Sequence, residues 1–413
     1  MLPVSLATGP LGTLIQLHLI SLNGPSEGVI YASLAVSAFN GVSIPAAMFW
    51  GYATDRLRSR RGVVVGSYGL MGLVLLGFIP LSNTPGTILV YSVFAFFSAA
   101  SATPLNLLIM ETEPKTRWAT AFARLSMVSS LGNVGGLILS TIWAQELPLL
   151  LLSLPLGAFA LLSAALAFVT VREPGLVLER ETMVRREPSF FARLLSLPLL
   201  FLKIPGPSDF RRVFRGLRNE LTSYVPLFYV STILFYLSSG IFNTSFVPAL
   251  SAFSIPSGEI FAVILAGMLV QMLAFRSVGR YTERRSLVSS SVQGLVLRGG
   301  SYALIGVFAV VAGGPEFLLP VIILYPLAAG VAFAVYYTSS NTMMFDTVQG
   351  RNPGSMMGVY SAVVGFATLA GSLASGFISV FLGFHVTFVL ASVLLLIAAG
   401  VMASLSRRNG QAR

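Results

Sequence analysis

The sequence predicts an all-α polytopic membrane protein, with twelve transmembrane helices in two pseudo-symmetric six-helix bundles. Three observations predict it. Hydrophobic residues make up 55% of the 413 and charged residues only 10%, against roughly 25% charged in ordinary soluble domains. Twelve segments reach the length of about 20 apolar residues that a spanning helix needs. Finally, two short motifs in the first half of the chain recur, in the same order, in the second. The alternating pattern of barrel strands is absent, so the spans read as helices.

The segments fall in two sets. Span 1, residues 3–22, lacks a basic start and a small-residue cleavage site, so it reads as a retained helix and not as a signal peptide. Spans 2 to 6 follow at 29–53, 62–81, 86–110, 118–143 and 148–171, and complete an N-terminal bundle, 1–171. A polar insert, 172–221, carries ten basic and six acidic residues. Within it Phe190 to Leu202 is mostly apolar, broken by Pro198 and too short to span, which reads as an interfacial helix in a cytoplasmic central loop. Spans 7 to 12, at 222–248, 257–278, 286–312, 317–343, 355–382 and 384–405, make a C-terminal bundle within 222–413.

Basic residues orient the chain. With the first loop placed outside and the rest alternating, the inner loops and C-terminal tail hold 24 of the 26 Lys and Arg, and the outer loops hold none. The remaining two, Arg124 and Arg298, lie within spans. By the positive-inside rule both termini are cytoplasmic. The net charge of +11 is therefore a topological signal, not a footprint for nucleic acid, because it is not gathered on a soluble module.

The internal repeat is specific. Gly51-Tyr52-Ala53-Thr54-Asp55-Arg56 returns 228 positions later as Gly279-Arg280-Tyr281-Thr282-Glu283-Arg284. Asn106 to Thr112 reads NLLIMET, and Asn341 to Thr347 reads NTMMFDT, each with Asn, then an acid five positions on, then Thr. Glycine allows close helix approach, and a carboxylate at such a loop caps the positive N-terminus of a neighbouring helix. Asp55 and Glu283 are thus candidate latches. Arg56 and Arg284, with Glu111 and Asp346 at the inner ends of spans 4 and 10, complete two pseudo-equivalent charge clusters. The bland alternative is loop charge obeying the positive-inside rule.

Twelve helices in two halves, a basic central loop and the 51–61 motif together resemble the major facilitator superfamily. Gly51, Asp55, Arg56, Arg60 and Arg61 match that family's loop between helices 2 and 3, while Arg58 stands where its second Gly falls. Gly132, Gly135 and Gly136 resemble its helix-5 antiporter motif without the Gly-Pro step. The resemblance covers essentially the whole chain. It implies a transporter that works by alternating access, with the latch loop against the start of helix 11 and substrate bound between the halves, chiefly on helices 1, 4, 7 and 10.

Chemistry-bearing residues narrow the function further. His18 and His385 are far apart, with no acid pair to complete a metal site. Lysine occurs only at 115 and 203, so no phosphate-loop Lys follows a Gly-rich turn and nucleotide-driven pumping by that route is excluded. Each of the fifteen acids lies in a loop or near a helix end. The mid-span carboxylate that carries protons in many coupled transporters is not visible, which leaves Glu111, Asp346 and His18 as possible couplers. On spans 1, 4, 7 and 10 the candidate cavity residues are Gln16, His18, Asn106, Tyr229, Tyr236, Asn243, Tyr336 and Asn341. Their neutral, aromatic and amide character suits a small polar or amphipathic organic solute. The competing reading is that Ser, Thr and Asn glue helices together.

Arg298 is the oddest residue. It has 12 residues of span 9 before it and 14 after, roughly 18–21 Å from either end at about 1.5 Å per residue and beyond snorkelling reach. Ser291, Gly294, Ser301 and Tyr302 share its helix face, so it is expected to face protein or water. Gly299 and Gly300 are expected to break the helix and free carbonyls for the guanidinium. Two roles stand: structural bonding to carbonyls or tyrosines, and direct contact with an anion or substrate.

Taken together, the expected protein is a multi-pass plasma-membrane secondary active or facilitative transporter for a small organic solute. It is monomeric, without cofactor or metal, and the helix-5 resemblance favours export. Rival readings are an uptake facilitator for a metabolite, and a receptor or assembly protein that kept the fold.

Overall fold

A computed structural model describes residues 1–57, 60–81, 83–112, 118–171, 225–283, 285–312, 314–348 and 353–411. The insert 172–221, with its expected interfacial helix, lies outside the described residues. Every regular element among the described residues is a helix. Ten of these are long and apolar enough to cross a membrane. The two further expected segments have visible physical reasons for escaping that count.

The first reason is a turn so short that spans 1 and 2 run together as one helical stretch. Leu11–Leu57 is continuous except at Gly24, whose φ of 77° and ψ of −179° only glycine adopts readily. Pro25 follows, a residue suited to starting a helix because its missing N–H would have no partner there. The turn is tight: a Cβ on Gly28 would lie 2.6 Å from the Cα of Ile20. Thr84 Oγ1 donates to Asn23 Oδ1 at 2.8 Å and ties this turn to the start of span 4. The second reason is length. Span 3 is the helix Arg60–Leu76, only 17 residues long.

Span 4 is Thr84–Thr112, span 5 Trp118–Glu146 and span 6 Ser153–Thr170. Span 7 is Val225–Ala252, span 8 Ser257–Glu283 and span 9 Leu287–Val311. Span 11 is Pro353–Leu382 and span 12 Phe384–Gln411. Span 10 is composite. An α-helix, Leu318–Tyr325, passes through a π-helical segment, Pro326–Ala332, into a second α-helix, Phe333–Val348. Pro326 has no N–H and its ring crowds the carbonyl four residues back, which loosens the ladder there.

The packing repeats with a period of six spans. The start of span 1, Leu2–Thr8, packs on spans 5 and 6, as span 7 packs on spans 11 and 12. Span 3 pairs with span 6, as span 9 pairs with span 12. Span 2 meets span 11 across the middle of the molecule, and span 8 meets span 5. Close approaches rest on glycine, as helix packing without a hydrophobic drive requires. A Cβ on Gly136 would lie 2.2 Å from the Leu6 carbonyl oxygen, and one on Gly371 2.2 Å from that of Leu237.

Span 7 is the most enclosed. Of its apolar window 72% is buried, against 44% for spans 9 and 12. Buried hydroxyls fasten it. Ser231 donates to the Ala398 carbonyl at 3.1 Å and Ser238 to that of Ala391 at 2.7 Å, both on span 12. Ser375 of span 11 donates to the Ile241 carbonyl at 2.7 Å. These serines act as glue between helices.

Candidate functional site: a caged arginine and a seam between the halves

Span 9 runs unbroken from Leu287 to Val311, capped by Ser286, whose side chain accepts from the Ser289 N–H at 3.1 Å. The expected break at Gly299 and Gly300 does not occur. In an apolar surround a freed backbone group finds no water, so the helical ladder holds. The glycine at 299 serves packing instead. A Cβ there would press on Leu395 and Leu396, and its carbonyl accepts from Ser392 of span 12 at 2.7 Å.

With the helix intact, the polar stripe of span 9 faces protein. Ser291 shares a hydrogen bond of 2.8 Å with Ser339 of span 10. Gly294 lets the span 10 backbone come close, with the Tyr336 nitrogen 2.9 Å from where a Cβ would stand. Arg298 is only 2% exposed. Its Nε donates to the Tyr302 hydroxyl, one turn along, at 2.8 Å. Its guanidinium carbon lies 4.9 Å from the ring of Phe235, 5.3 Å from Phe333 and 5.4 Å from Tyr302. Ring faces attract a cation, by about 2 kcal/mol or more when both are desolvated. Nη1 is buried without a hydrogen-bond partner. The charge is therefore caged by rings from spans 7, 9 and 10, and no acid pairs with it among the described residues.

Further aromatics surround the cage. Tyr336 stacks on Phe235 with centroids 3.9 Å apart. Tyr236 and Tyr325 also lie within electrostatic reach of the guanidinium. Tyr236, Tyr337 and Tyr360 converge on one another from spans 7, 10 and 11, and Tyr229 meets Tyr360 edge-on at 6.3 Å. Phe235, Phe333 and Tyr360 were not among the expected site residues. Tyr360 alone carried a signal, a phenol within an apolar span; the two Phe read as any lipid-facing ring would.

The other expected cavity residues are dispersed. Gln16 and His18 are buried on span 1, with Oε1 of the first and Nε2 of the second lacking a partner. Asn243 is exposed and Asn341 half-buried. The side chains of Asn106, Asp55, Arg56, Glu111, Glu283, Arg284 and Asp346, and the surroundings of Gly51, lie outside the described residues. At Gly279 a Cβ would meet open space.

A second feature joins spans 2 and 11 near the loops that contain no Lys or Arg. Ser33 donates to the Ser372 carbonyl and accepts from the Gly376 N–H at 3.1 Å. Asn40 Nδ2 donates to Ser372 Oγ at 3.3 Å. A Cβ on Gly376 would stand 2.5 Å from that of Ser33. At the same end, Gly258 of span 8 approaches Thr141 and Gln145 of span 5. The glycines of span 5 lie elsewhere. Gly132, Gly135 and Gly136 all face Leu2 to Leu6 of span 1 or its immediate surroundings.

The profile of the Major Facilitator Superfamily matches residues 4–312. The chain belongs to this superfamily. Solved structures agree on the fold. The nucleoside transporter NupG aligns over 98% of this chain and 98% of its own, with 12% identity and a TM-score of 0.66. The peptide transporter POT aligns over 99% of this chain and 94% of its own, at 10% identity and 0.72. The xylose transporter XylE from E. coli covers 97% of this chain and 95% of its own, at 13% and 0.67. No curated protein sequence matches the chain. Superfamily membership makes this a multi-pass membrane protein with a transporter fold.

Proposed function

We propose that the chain is a secondary active or facilitative exporter of a small organic solute, working by rocking of residues 1–171 against 222–413. Both termini and the insert 172–221 lie in the cytoplasm of a plasma-membrane protein that acts as a monomer. The observation that carries this reading is the seam of Ser33, Asn40, Ser372 and Gly376. It closes the molecule between the halves at the end free of basic loops. Close approaches at Gly376, at Gly41 against Leu369 and at Gly365 against Ile44 accompany these polar bonds, and they join two spans that alternating access requires to part.

Substrate meets the tyrosines of spans 7, 10 and 11 on one side and Gln16 and His18 of span 1 on the other. Asp55 and Glu283, with Arg56, Arg284, Glu111 and Asp346, form the opposing cytoplasmic latch. The export direction rests on the helix-5 glycines, although their packing against span 1 serves structure equally well. Uptake of a metabolite remains the second reading.

The test is flux in proteoliposomes. Solutes that raise the thermal midpoint of the purified protein are loaded and followed by counterflow, with and without an imposed pH gradient. Counterflow that depends little on the gradient is expected, since no acid sits mid-span. Binding without counterflow, in vesicles where a control transporter works, overturns transport in favour of a receptor.

A further inference from the structure

We propose that Arg298 is the anchor for the anionic group of the transported solute, and that the solute is an organic monoanion with a carboxylate and a flat apolar body. This rests on the reading that the chain transports an organic solute between its halves.

The argument begins with an imbalance. Guanidinium keeps its charge at any physiological pH, and an unpaired one in a membrane-spanning segment is costly. Spans usually settle such a charge with a carboxylate. Here the acids of the sequence all lie in loops or near helix ends. The three rings around Arg298 offset the charge through their faces, but a ring face is no substitute for an in-plane acceptor. Tyr302 satisfies Nε. Nη1, buried in a residue 2% exposed, remains without an acceptor. A buried donor left unmade is destabilising, and more so when charged. A purely structural arginine would gain by bonding a carbonyl, yet no such bond forms among the described residues.

The cage is also shallow. Phe333, one of its walls, is half-buried and stacks at 5.3 Å on Tyr337, which is 41% exposed. Phe235, another wall, meets half-buried Tyr236 edge-on at 5.0 Å. One ring therefore separates the guanidinium from the tyrosine surface of spans 7, 10 and 11. In the proposed bound state Phe333 turns aside and opens Nη1 to that surface. A carboxylate is the natural partner, since it takes guanidinium N–H groups in a charge-assisted, geometrically matched pair. The surrounding phenols and phenyls favour a planar apolar body beside it.

The experiment uses the full-length purified protein and its Arg298→Gln and Arg298→Lys variants. Thermal midpoints are read with benzoate, phenylacetate and naphthoate, each against its primary amide, and with neutral solutes from the transport screen. At least one carboxylate should raise the wild-type midpoint while its amide does not. That shift should vanish in Arg298→Gln and need higher concentrations in Arg298→Lys, which keeps the charge but loses the planar fork. Should Arg298→Gln fail to fold, Arg298→Lys decides: a dose response unchanged from wild type overturns the proposal. So does a carboxylate shift that persists in Arg298→Gln, or the absence of any carboxylate preference in the wild type. Neutral solutes that stabilise all three proteins, and undergo counterflow, would overturn the anion anchor while leaving the transporter reading intact.

Discussion

Tyr302 lies flat against Phe242, with ring centroids 3.5 Å apart and planes 4° from parallel. The stack fixes the hydroxyl that accepts from Arg298 Nε. It couples span 7 to the charge on span 9 through a ring, not through an ion pair. Tyr302→Phe keeps the stack and removes the acceptor. It should cost about 1–3 kcal/mol of stability, the penalty of a buried donor left unmade. Denaturation of the purified variant measures it, and an unchanged midpoint would mean that Nε finds another acceptor at once.

Glycines of span 5 and span 9 make a matched pair of tests. At Gly136 a Cβ collides with the Leu6 carbonyl at 2.2 Å, whereas at Gly300 it meets open space. Gly136→Ala should lower folded yield and midpoint. Gly300→Ala should be neutral or stabilising, by roughly 0.4–1 kcal/mol through the unfolded chain. If Gly136→Ala folds normally and loses only transport, the span 5 glycines belong to the cycle and not to packing.

The seam between spans 2 and 11 should be sensitive to one methyl group. Gly376→Ala places a Cβ 2.5 Å from that of Ser33. Spans 2 and 11 should separate at that end, and the population should move toward the state open there. Distances between spin labels on the two spans report it. Identical distance distributions in the variant would show that the seam yields elsewhere and is no gate.

The proposed cytoplasmic latch has its own probe. Asp55→Asn removes the charge proposed to cap the start of span 11, an interaction worth about 0.3–1 kcal/mol at an exposed helix N-terminus and up to ~2 when partly buried. Transport should fall while folded yield is kept. Normal flux from Asp55→Asn and Glu283→Gln combined would reduce the duplicated motif to a topology signal.

Orientation is checked by compartment-specific reporters fused at 23–28, 83, 180 and the C-terminus. Signals from 180 and the C-terminus should be cytoplasmic, and those from the other two external. An external signal at 180 sinks the assignment of 24 basic residues to one side.

Hydropathy revealed the spans because lipid demands long apolar helices. It could not show which apolar residues face protein, because lipid tails and protein interior are alike to a Phe. Phe235 and Phe333 were invisible for that reason, whereas Arg298 stood out at once, since charge is costly anywhere in a span. The stripe of Ser291, Gly294 and Tyr302 correctly pointed inward. The separation of spans 1 and 2 was legible at Gly24-Pro25, but not its shortness, since a glycine followed by proline signals a turn without fixing its length. The π-helical segment of span 10 was hidden too, since Pro326 signals disruption but not its form. The expected fracture at Gly299 and Gly300 failed because two adjacent glycines weaken a helix only where water competes for its backbone.

Spans 7 and 11 touch backbone to backbone: a Cβ on Gly240 would lie 2.5 Å from the Thr368 carbonyl, and one on Gly371 2.2 Å from that of Leu237. Serines at 245, 375 and 379 stitch the same contact. Such a joint has no slack in which to slide. Under the proposed rocking of the halves, a fluorophore pair bridging spans 7 and 11 would give a constant reading while one bridging spans 2 and 11 swings, so the 7–11 joint would serve as an internal ruler for that motion.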